Sequence, residues 1–415
     1  MSIERLDKYD LKFLGGVPVV YHCHHFNLFL DQTIDDALGE SGSLLKRIAG
    51  RRAAAELLPQ LMENARTPVE KLEIAKEAFA SMGHGKLRFD VTASGGEAHS
   101  TTLHYGLTWR EKYGDTVRTN IPMDPFAAGF AASATALAFG LDGEALNSKE
   151  TKCIAKRDEQ CCFRITPDSP PLASLRPVNR ATIDLQLNNF DTGEHDEEIA
   201  RVTEGLNSFL AGVKPDSRGL IEAFGVYITV HLANYYNAIS FGALREIRER
   251  APDSCDVLAD LLRESGHVCV FNTFGGMLLS PEWEGLVGRP HNDPKQIVLW
   301  CLSIARALGF GRWCLESFSL GKEMVLSTPC NYESPYFALR EDAKASSNSP
   351  EFFFQGAAAA IMHLAHHVDW TSSPTFSHEE YVKLFENDEL PWEISQNQSA
   401  SLGSPCSKVT IRVRD

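Results

Sequence analysis

Strand-like and helix-like spacings of apolar residues follow one another along this chain in an order that is written twice. Val17–Cys23 is a short continuous apolar run and reads as a strand. Helical spacing then runs through Asp35–Ala65, with a break expected near Gly50. A helix is expected over Thr67–Met82, where Thr67 can cap and Pro68 takes the first helical position. Lys86–Ala93 and Ser100–Thr108 read as a hairpin around Ser94, Gly95 and Gly96. Asp124-Pro125 opens a helix of small residues, Phe126–Phe139, and Glu150–Ile165 holds two short strands around Lys156, Arg157, Asp158 and Glu159.

The second copy repeats these landmarks. Thr67–His104 can be laid on Asp293–Cys330 without a gap, which places Pro68 on Pro294, Gly83 and Gly85 on Gly309 and Gly311, Gly95 on Gly321, Glu97 on Glu323 and Thr102 on Thr328. Upstream, the run ending in His22 answers the run ending in His231; downstream, a helix follows Ser349-Pro350 and a last strand lies near Lys408–Arg414. A Pro-rich stretch from Thr166 to Pro171, with Pro177 beyond it, separates the copies. This divides the chain into a first unit over 1–167, a linker over 168–179 and a second, divergent unit over 180–415. Each unit is expected to be α+β, with helices packed on an antiparallel sheet. Asp191–Gly212 has no counterpart in the first copy, and its acidic start predicts a solvated helical surface. Copies keep a fold and diverge at sites, so the differences between them point to chemistry.

Composition narrows the classes. The 415 residues are 43% apolar and 23% charged, enough for two full cores, and the net charge of −15 speaks against a nucleic-acid partner. The first ten residues lack the apolar core of a signal peptide. The apolar stretches around Phe126–Phe139 and Ala357–Ala365 are too short to span a bilayer. The expectation is a cytoplasmic protein with reduced cysteines. Among these, Cys255, Cys269, Cys301 and Cys314 read as inert core thiols.

Three groups of residues could carry chemistry. His22, Cys23, His24 and His25 follow an apolar run; imidazoles at i and i+2 can share a metal, and a helix starting here would bring His25 round. Because His231 matches His22 while Ala233 and Asn234 match His24 and His25, the latter two are the more site-like. Glu150, Cys153 and Cys161 form Glu-x2-Cys-x7-Cys, which brings a carboxylate and two thiolates together across a hairpin, a donor set suited to zinc. His363, His366 and His367 fall on one stripe of an alanine-rich helix, and two histidines one turn apart can chelate. His104 and Cys330 occupy matched positions and are expected to end the second strand of each central hairpin. Convergence of Cys330 with the His363 stripe, or of His24 and His25 with His104, would give further metal sites. Arg110, Lys112 and Arg118 are cations that could hold a substrate carboxylate but read first as surface. No nucleotide-binding glycine motif is present: Gly83-x-Gly85 and Gly309-x-Gly311 read as helix-ending turns.

The run Glu150-x2-Cys153-Ile-Ala-x4-Gln160-Cys161-x-Phe163 resembles the C-terminal signature of the 4-vinyl reductase domain, and the chain is similar also to proteins related to L-2-amino-thiazoline-4-carboxylate hydrolase. The resemblance covers roughly residues 35–166 and, more faintly, 235–412, where Ser404–Val409 stands in place of the signature. It implies that Glu150, Cys153 and Cys161 ligate zinc, as in phenol-sensing relatives. There a fourth cysteine lies about a helix upstream, whereas Phe126–Phe139 holds none, so that either a histidine completes the site or a position stays open.

Three functional expectations follow. The first is a metal-dependent enzyme acting on a small polar, amino-acid-derived metabolite, with Fe, Cu or Zn bound by the histidines and with His24, His25 and His104 catalytic. Oxidation is favoured over hydrolysis of the thiazoline-carboxylate type because the clusters are rich in imidazole. In a metal-free version Cys23, Cys153 or Cys161 would act as nucleophile. The second expectation is a non-enzymatic small-molecule sensor whose zinc is structural. The third is a scaffold built through homodimerisation.

Overall fold

The computed structural model describes residues 2–114, 123–167, 178–186, 196–339, 349–372, 374–385 and 392–413. Arg118, most of the linker and Asp191–His195 lie outside these residues, as does the side chain of Lys112. The first half runs β1 (Ile3–Leu6), β2 (Leu11–Leu14), β3 (Val17–Cys23), α1 (His24–Leu38), α2 (Glu40–Leu61), α3 (Pro68–Ser81), β4 (Arg88–Thr92), β5 (Gly95–Ser100), α4 (His104–Tyr113), α5 (Pro125–Ala138), β6 (Asn147–Lys152) and β7 (Cys161–Thr166). The second runs α6 (Arg180–Gln186), α7 (Glu197–Gly212), β8 (Ile221–Ala223), β9 (Val226–Leu232), α8 (Ala233–Arg250), α9 (Cys255–Leu278), α10 (Pro281–Leu286), α11 (Pro294–Ala307), β10 (Cys314–Ser319), β11 (Glu323–Thr328), α12 (Ser334–Ala338), α13 (Phe352–His366), α14 (His378–Phe385), β12 (Trp392–Gln398) and β13 (Ser407–Val413). The protein is thus α+β, with helices packed on antiparallel sheets. Among the described residues no helix is long and apolar enough to cross a membrane.

Each half builds its own four-stranded sheet, in the orders β4-β5-β7-β6 and β10-β11-β13-β12. A five-stranded sheet, β1-β2-β3-β9-β8, takes strands from both halves. Its centre is the antiparallel pair β3–β9, in register Val20↔His231, Tyr21↔Val230 and His22↔Thr229. His22 and His231 are the penultimate residues of their strands, and Tyr21 faces Val230, its counterpart in the other copy. A local two-fold relation therefore runs through that pair. It extends to the flanking helices. Beyond the end of β2, the Tyr21 N–H donates to the Leu308 carbonyl just past α11 at 2.9 Å; Val230 N–H donates to the Met82 carbonyl just past α3, also at 2.9 Å. Each half completes the strand of the other, which satisfies backbone groups that would otherwise be buried unpaired.

The small residues of α5 and α13 serve close helix approach. A side-chain carbon at Gly50 in α2 would lie 2.9 Å from the Phe126 carbonyl oxygen, and one at Gly266 in α9 would lie 2.7 Å from that of Phe353. Gly50 is therefore a contact point inside a helix. The break expected there falls instead at Gly39, whose φ of +60° suits a residue without Cβ. The α3 expectation holds: Thr67 and Glu70 form a capping box ahead of Pro68. The hairpin closes at Thr92 and Gly95, and its second strand is Gly95–Ser100, so it ends where the expected strand Ser100–Thr108 begins. Most of that segment is helical, and His104 opens α4 rather than ending a strand. Helix α7 is amphipathic, not merely solvated: Ile199, Val202, Leu206 and Leu210 are buried, and Asp196 caps its N-terminus.

Candidate metal centre and buried histidine cluster

Four side chains of the first half meet at one point. One donor atom each from Asp124, Glu150, Cys153 and Cys161 lies within 4.8 Å of all the others, and all four residues are at most 5% exposed. Two come from the β6–β7 connection. Cys153 caps a 3-10 turn over Ile154–Lys156 whose exit residue, Arg157, has φ +71°; this turn returns the chain so that the Ile154 N–H donates to Cys161 Sγ at 3.3 Å. Glu150 sits at a bulge in β6 and accepts from the Asp124 N–H at 3.1 Å. Asp124 is the N-cap of α5, yet its side chain caps nothing; it turns towards the cluster and accepts from Cys161 Sγ at 3.2 Å. The fourth donor of the group is thus neither cysteine nor histidine but the carboxylate one residue ahead of the Pro125 helix. Its signal in the sequence was the Asp124-Pro125 helix start upstream of Glu150.

The electrostatics are those of acids crowded together out of water. Burial pushes Asp124 and Glu150 well above the usual carboxylate range, and the neighbouring Cys153 adds to the rise in both. The hydrogen bond from Cys161 pulls the Cys153 thiol down to about 6, whereas burial pushes Cys161 up. Glu150 Oε1 is buried with no hydrogen-bond partner. Two carboxylates and two thiols this close, removed from water and with an acceptor left over, can hold a metal ion and are costly without one.

The second half keeps the same frame without the donors. Ser399 caps a 3-10 turn over Ala400–Leu402 whose exit residue, Gly403, has φ +97°. Ala400 N–H donates to Ser407 Oγ at 3.0 Å, which places Ser399 and Ser407 where Cys153 and Cys161 stand. Gln396 occupies the β12 bulge as Glu150 occupies that of β6, and Glu351 precedes α13 as Asp124 precedes α5. Here the Glu351 carboxylate accepts from Gln396 Nε2 at 2.7 Å, Ser399 Oγ at 3.2 Å and the Ser401 N–H at 3.0 Å. Hydroxyl and amide donors satisfy one carboxylate directly, where the first half gathers two carboxylates and two thiols.

The histidines predicted as ligands are dispersed. His22 stacks between Phe26 at 3.9 Å and Phe310 at 4.7 Å, and its Nδ1 stands 3.8 Å from Cys269 Sγ. His24 opens α1, its ring lies tilted against that of His25 at 4.1 Å, and its Nδ1 accepts from the Tyr227 N–H at 3.3 Å. His104 turns instead to Asn27, with Nε2 2.9 Å from its Nδ2. His363, His366 and His367 surround the indole of Trp392, at 5.8, 5.7 and 5.6 Å, and His363 pairs with His267 at 2.7 Å. Cys330 does not join them: it lies in a separate small apolar cluster with Tyr9, Leu11, Phe13 and Tyr336. Among the described residues the Asp124 quartet alone has ligand spacing. All ten cysteines are free. Cys269 and Cys301 are buried as expected, while Cys255 and Cys314 are only half-buried. Cys23 caps α1, with its Sγ 3.9 Å from that of Cys269; burial pushes its thiol up, but hydrogen bonds from Cys269, Thr273 and the α1 N-terminus outweigh this and bring it to about 7. Arg110 is exposed, in keeping with a surface role.

Pattern reasoning missed the residue at the centre of the molecule. His84, between the two glycines of the α3-ending turn, is 1% exposed, and neither of its ring nitrogens makes a hydrogen bond of good geometry. Its ring stands 4.7 Å from His231, 4.7 Å from Phe126 and 6.4 Å from His104, whose Nδ1 is likewise buried without a partner. Tyr105 Oη lies 3.2 Å from His231 Nε2. Burial holds His84, His104 and His231 well below the usual imidazole range, so they are neutral. In the second copy Phe310 takes the place of His84, and the matching nest around His22 is aromatic: Phe26, Phe310 and Phe353. The contrast Gly-His-Gly against Gly-Phe-Gly was the available signal.

Comparison with known proteins finds no matching family model, no matching curated protein and no matching solved structure.

Proposed function

We propose that this chain is a small-molecule-binding module of tandem 4-vinyl reductase type, in which a structural zinc ion at Asp124, Glu150, Cys153 and Cys161 locks the first unit. The carrying observation is the buried quartet itself. Four protein donors are the number a closed, four-coordinate zinc site takes, whereas a catalytic zinc keeps a position for water or substrate. The ligand is read at the cluster of His84, His104 and His231, because both His84 ring nitrogens and His104 Nδ1 are buried without partners and favour a guest that supplies them. Aromatic walls from Phe79, Phe126 and Tyr235 suit a small ring bearing a hydroxyl. The resemblance to phenol sensors points the same way.

Metal analysis of the purified protein should find about one zinc per chain by the donor-set argument. Phenol titrated calorimetrically should bind, and His84→Phe, which copies Phe310, should abolish binding while leaving the zinc in place. Substoichiometric zinc, or a Cys161→Ala variant that retains it, would sink the structural-zinc reading. An enzymatic reading rests on the same imidazoles beside Tyr105, which are placed for proton transfer. Iron or copper in the purified protein, lost in His84→Phe and His104→Ala, would favour the oxidative enzyme; turnover of a thiazoline carboxylate without redox metal would favour the hydrolase.

A further inference from the structure

The face of the central sheet opposite His22 and His231 carries a separate cavity of about 630 Å³. Lys12, Tyr21, Ile221 and Val230 form its floor, and Asn207 and Leu210 of α7 form part of its roof. Because α7 has no counterpart in the first half, the cavity exists only through the inserted helix. It sits over the Tyr21–Val230 pair.

Lys12 is the anomaly here. It is 7% exposed, its stem packs against Gly309, and its Nζ donates to the neutral Asn207 Oδ1 at 2.7 Å. Buried lysines are ordinarily paired with an acid, yet among the described residues no carboxylate lies within ion-pairing distance of Lys12. The nearby acids are engaged by Arg5, which holds Asp7 at 3.0 Å, Asp10 at 3.0 Å and Glu204 at 2.8 Å. Lys214 adds another cation to the lining. The Asn207 amide is oriented by Lys12, and its Nδ2 is buried without an acceptor. Two donor groups therefore converge on the cavity with an acceptor missing, while Ile3, Val213 and Ile221 supply an apolar wall.

We propose that this cavity binds an organic carboxylate, with Lys12 as its charge partner, Asn207 Nδ2 as a second donor and the apolar wall receiving its hydrocarbon part. The anion supplies the counter-charge that the fold withholds from Lys12. Burial, followed by the repulsion of Arg5, lowers the amine to about 8, and a bound carboxylate would raise it again.

Hexanoate is a suitable probe, titrated calorimetrically into the full-length protein, with hexanamide and inorganic phosphate as comparison arms. Hexanoate should bind at least about tenfold more tightly than hexanamide, and Lys12→Met should weaken it at least about tenfold, each a loss of one charge-assisted contact. Asn207→Leu, on the inserted helix, should weaken it as well and keeps the test open should the Lys12 variant fail to fold. Hexanoate should also slow acetylation of Lys12, read by peptide mass mapping, relative to that of exposed lysines. Equal affinity for hexanamide, binding of phosphate alone, binding indifferent to both substitutions, or no hexanoate binding up to about 10 mM would each overturn the proposal.

Discussion

The two halves offer an internal control for the metal centre, because Cys161 and Ser407 do the same backbone work. Each accepts the N–H of the first residue of a 3-10 turn, Ile154 at 3.3 Å and Ala400 at 3.0 Å. Ser407→Ala should therefore cost about 1 kcal/mol, the net worth of one hydrogen bond, regardless of metal. Cys161→Ala loses the same acceptor together with one of four ligands. If the wild type binds zinc in the folded state alone, its stability rises by about 1.4 kcal/mol for each tenfold increase in free zinc above the dissociation constant, reaching about 2.7 kcal/mol at a hundredfold excess. A hundredfold loss of affinity in Cys161→Ala would leave only about 0.4 kcal/mol of that gain at the same zinc concentration. The assay is urea unfolding, followed by circular dichroism, at free zinc concentrations fixed by chelator buffers. Wild type and Ser407→Ala should give parallel lines offset by the hydrogen bond, and Cys161→Ala a flat one. A zinc-dependent slope surviving in Cys161→Ala, or vanishing in Ser407→Ala, would refute the assignment of the two turns.

Two further outcomes follow from buried charge. Lys46 Nζ lies 2.8 Å from Asp31 and 2.7 Å from Asp35, with all three side chains at most 2% exposed, so Lys46→Met strands two carboxylates and should cost about 3–5 kcal/mol in urea unfolding; a loss below about 1 kcal/mol would contradict that burial. Burial raises Glu333 to about 8 from an ordinary 4.5, although it accepts the Phe353 and Phe354 N–H groups at 3.0 Å each. A raised carboxyl favours its neutral form in the fold, so its contribution is complete below pH 4.5 and fades as pH climbs through about 8. Glu333→Gln should flatten the melting temperature across that window and gain on the wild type at its alkaline end; identical pH profiles for the two proteins would count against it.

Local rules reached far in the first unit. Thr67-Pro68 marked a helix start, Val17–Cys23 a strand, and Glu150, Cys153 and Cys161 a shared site, because capping, apolar runs and hairpin ligand spacing depend on neighbours in the sequence. His104 was misplaced by a few residues: the strand stops at Ser100, and Leu103 leads into a helix that no strong breaker announces. The stripe His363, His366 and His367 has chelating spacing, but spacing leaves open what stands opposite, and Trp392 stands there.

By itself, the sequence determined the order of landmarks that recurs along the chain and the Glu-x2-Cys-x7-Cys spacing of Glu150, Cys153 and Cys161, since both are written in residue order. Tertiary structure decided the rest. It brought Asp124, 26 positions before Glu150, to the fourth corner of the site, and it set Ser399, Ser407 and Gln396 on the matching corners of the other half. It paired β3 with β9, which gathered His84, His104 and His231 from distant stretches into one buried group. It also laid the unmatched helix α7 over Lys12. The reason is that burial and long-range strand pairing decide which donors lose their water and which partners they meet, and neither quantity is carried by any short window of the chain.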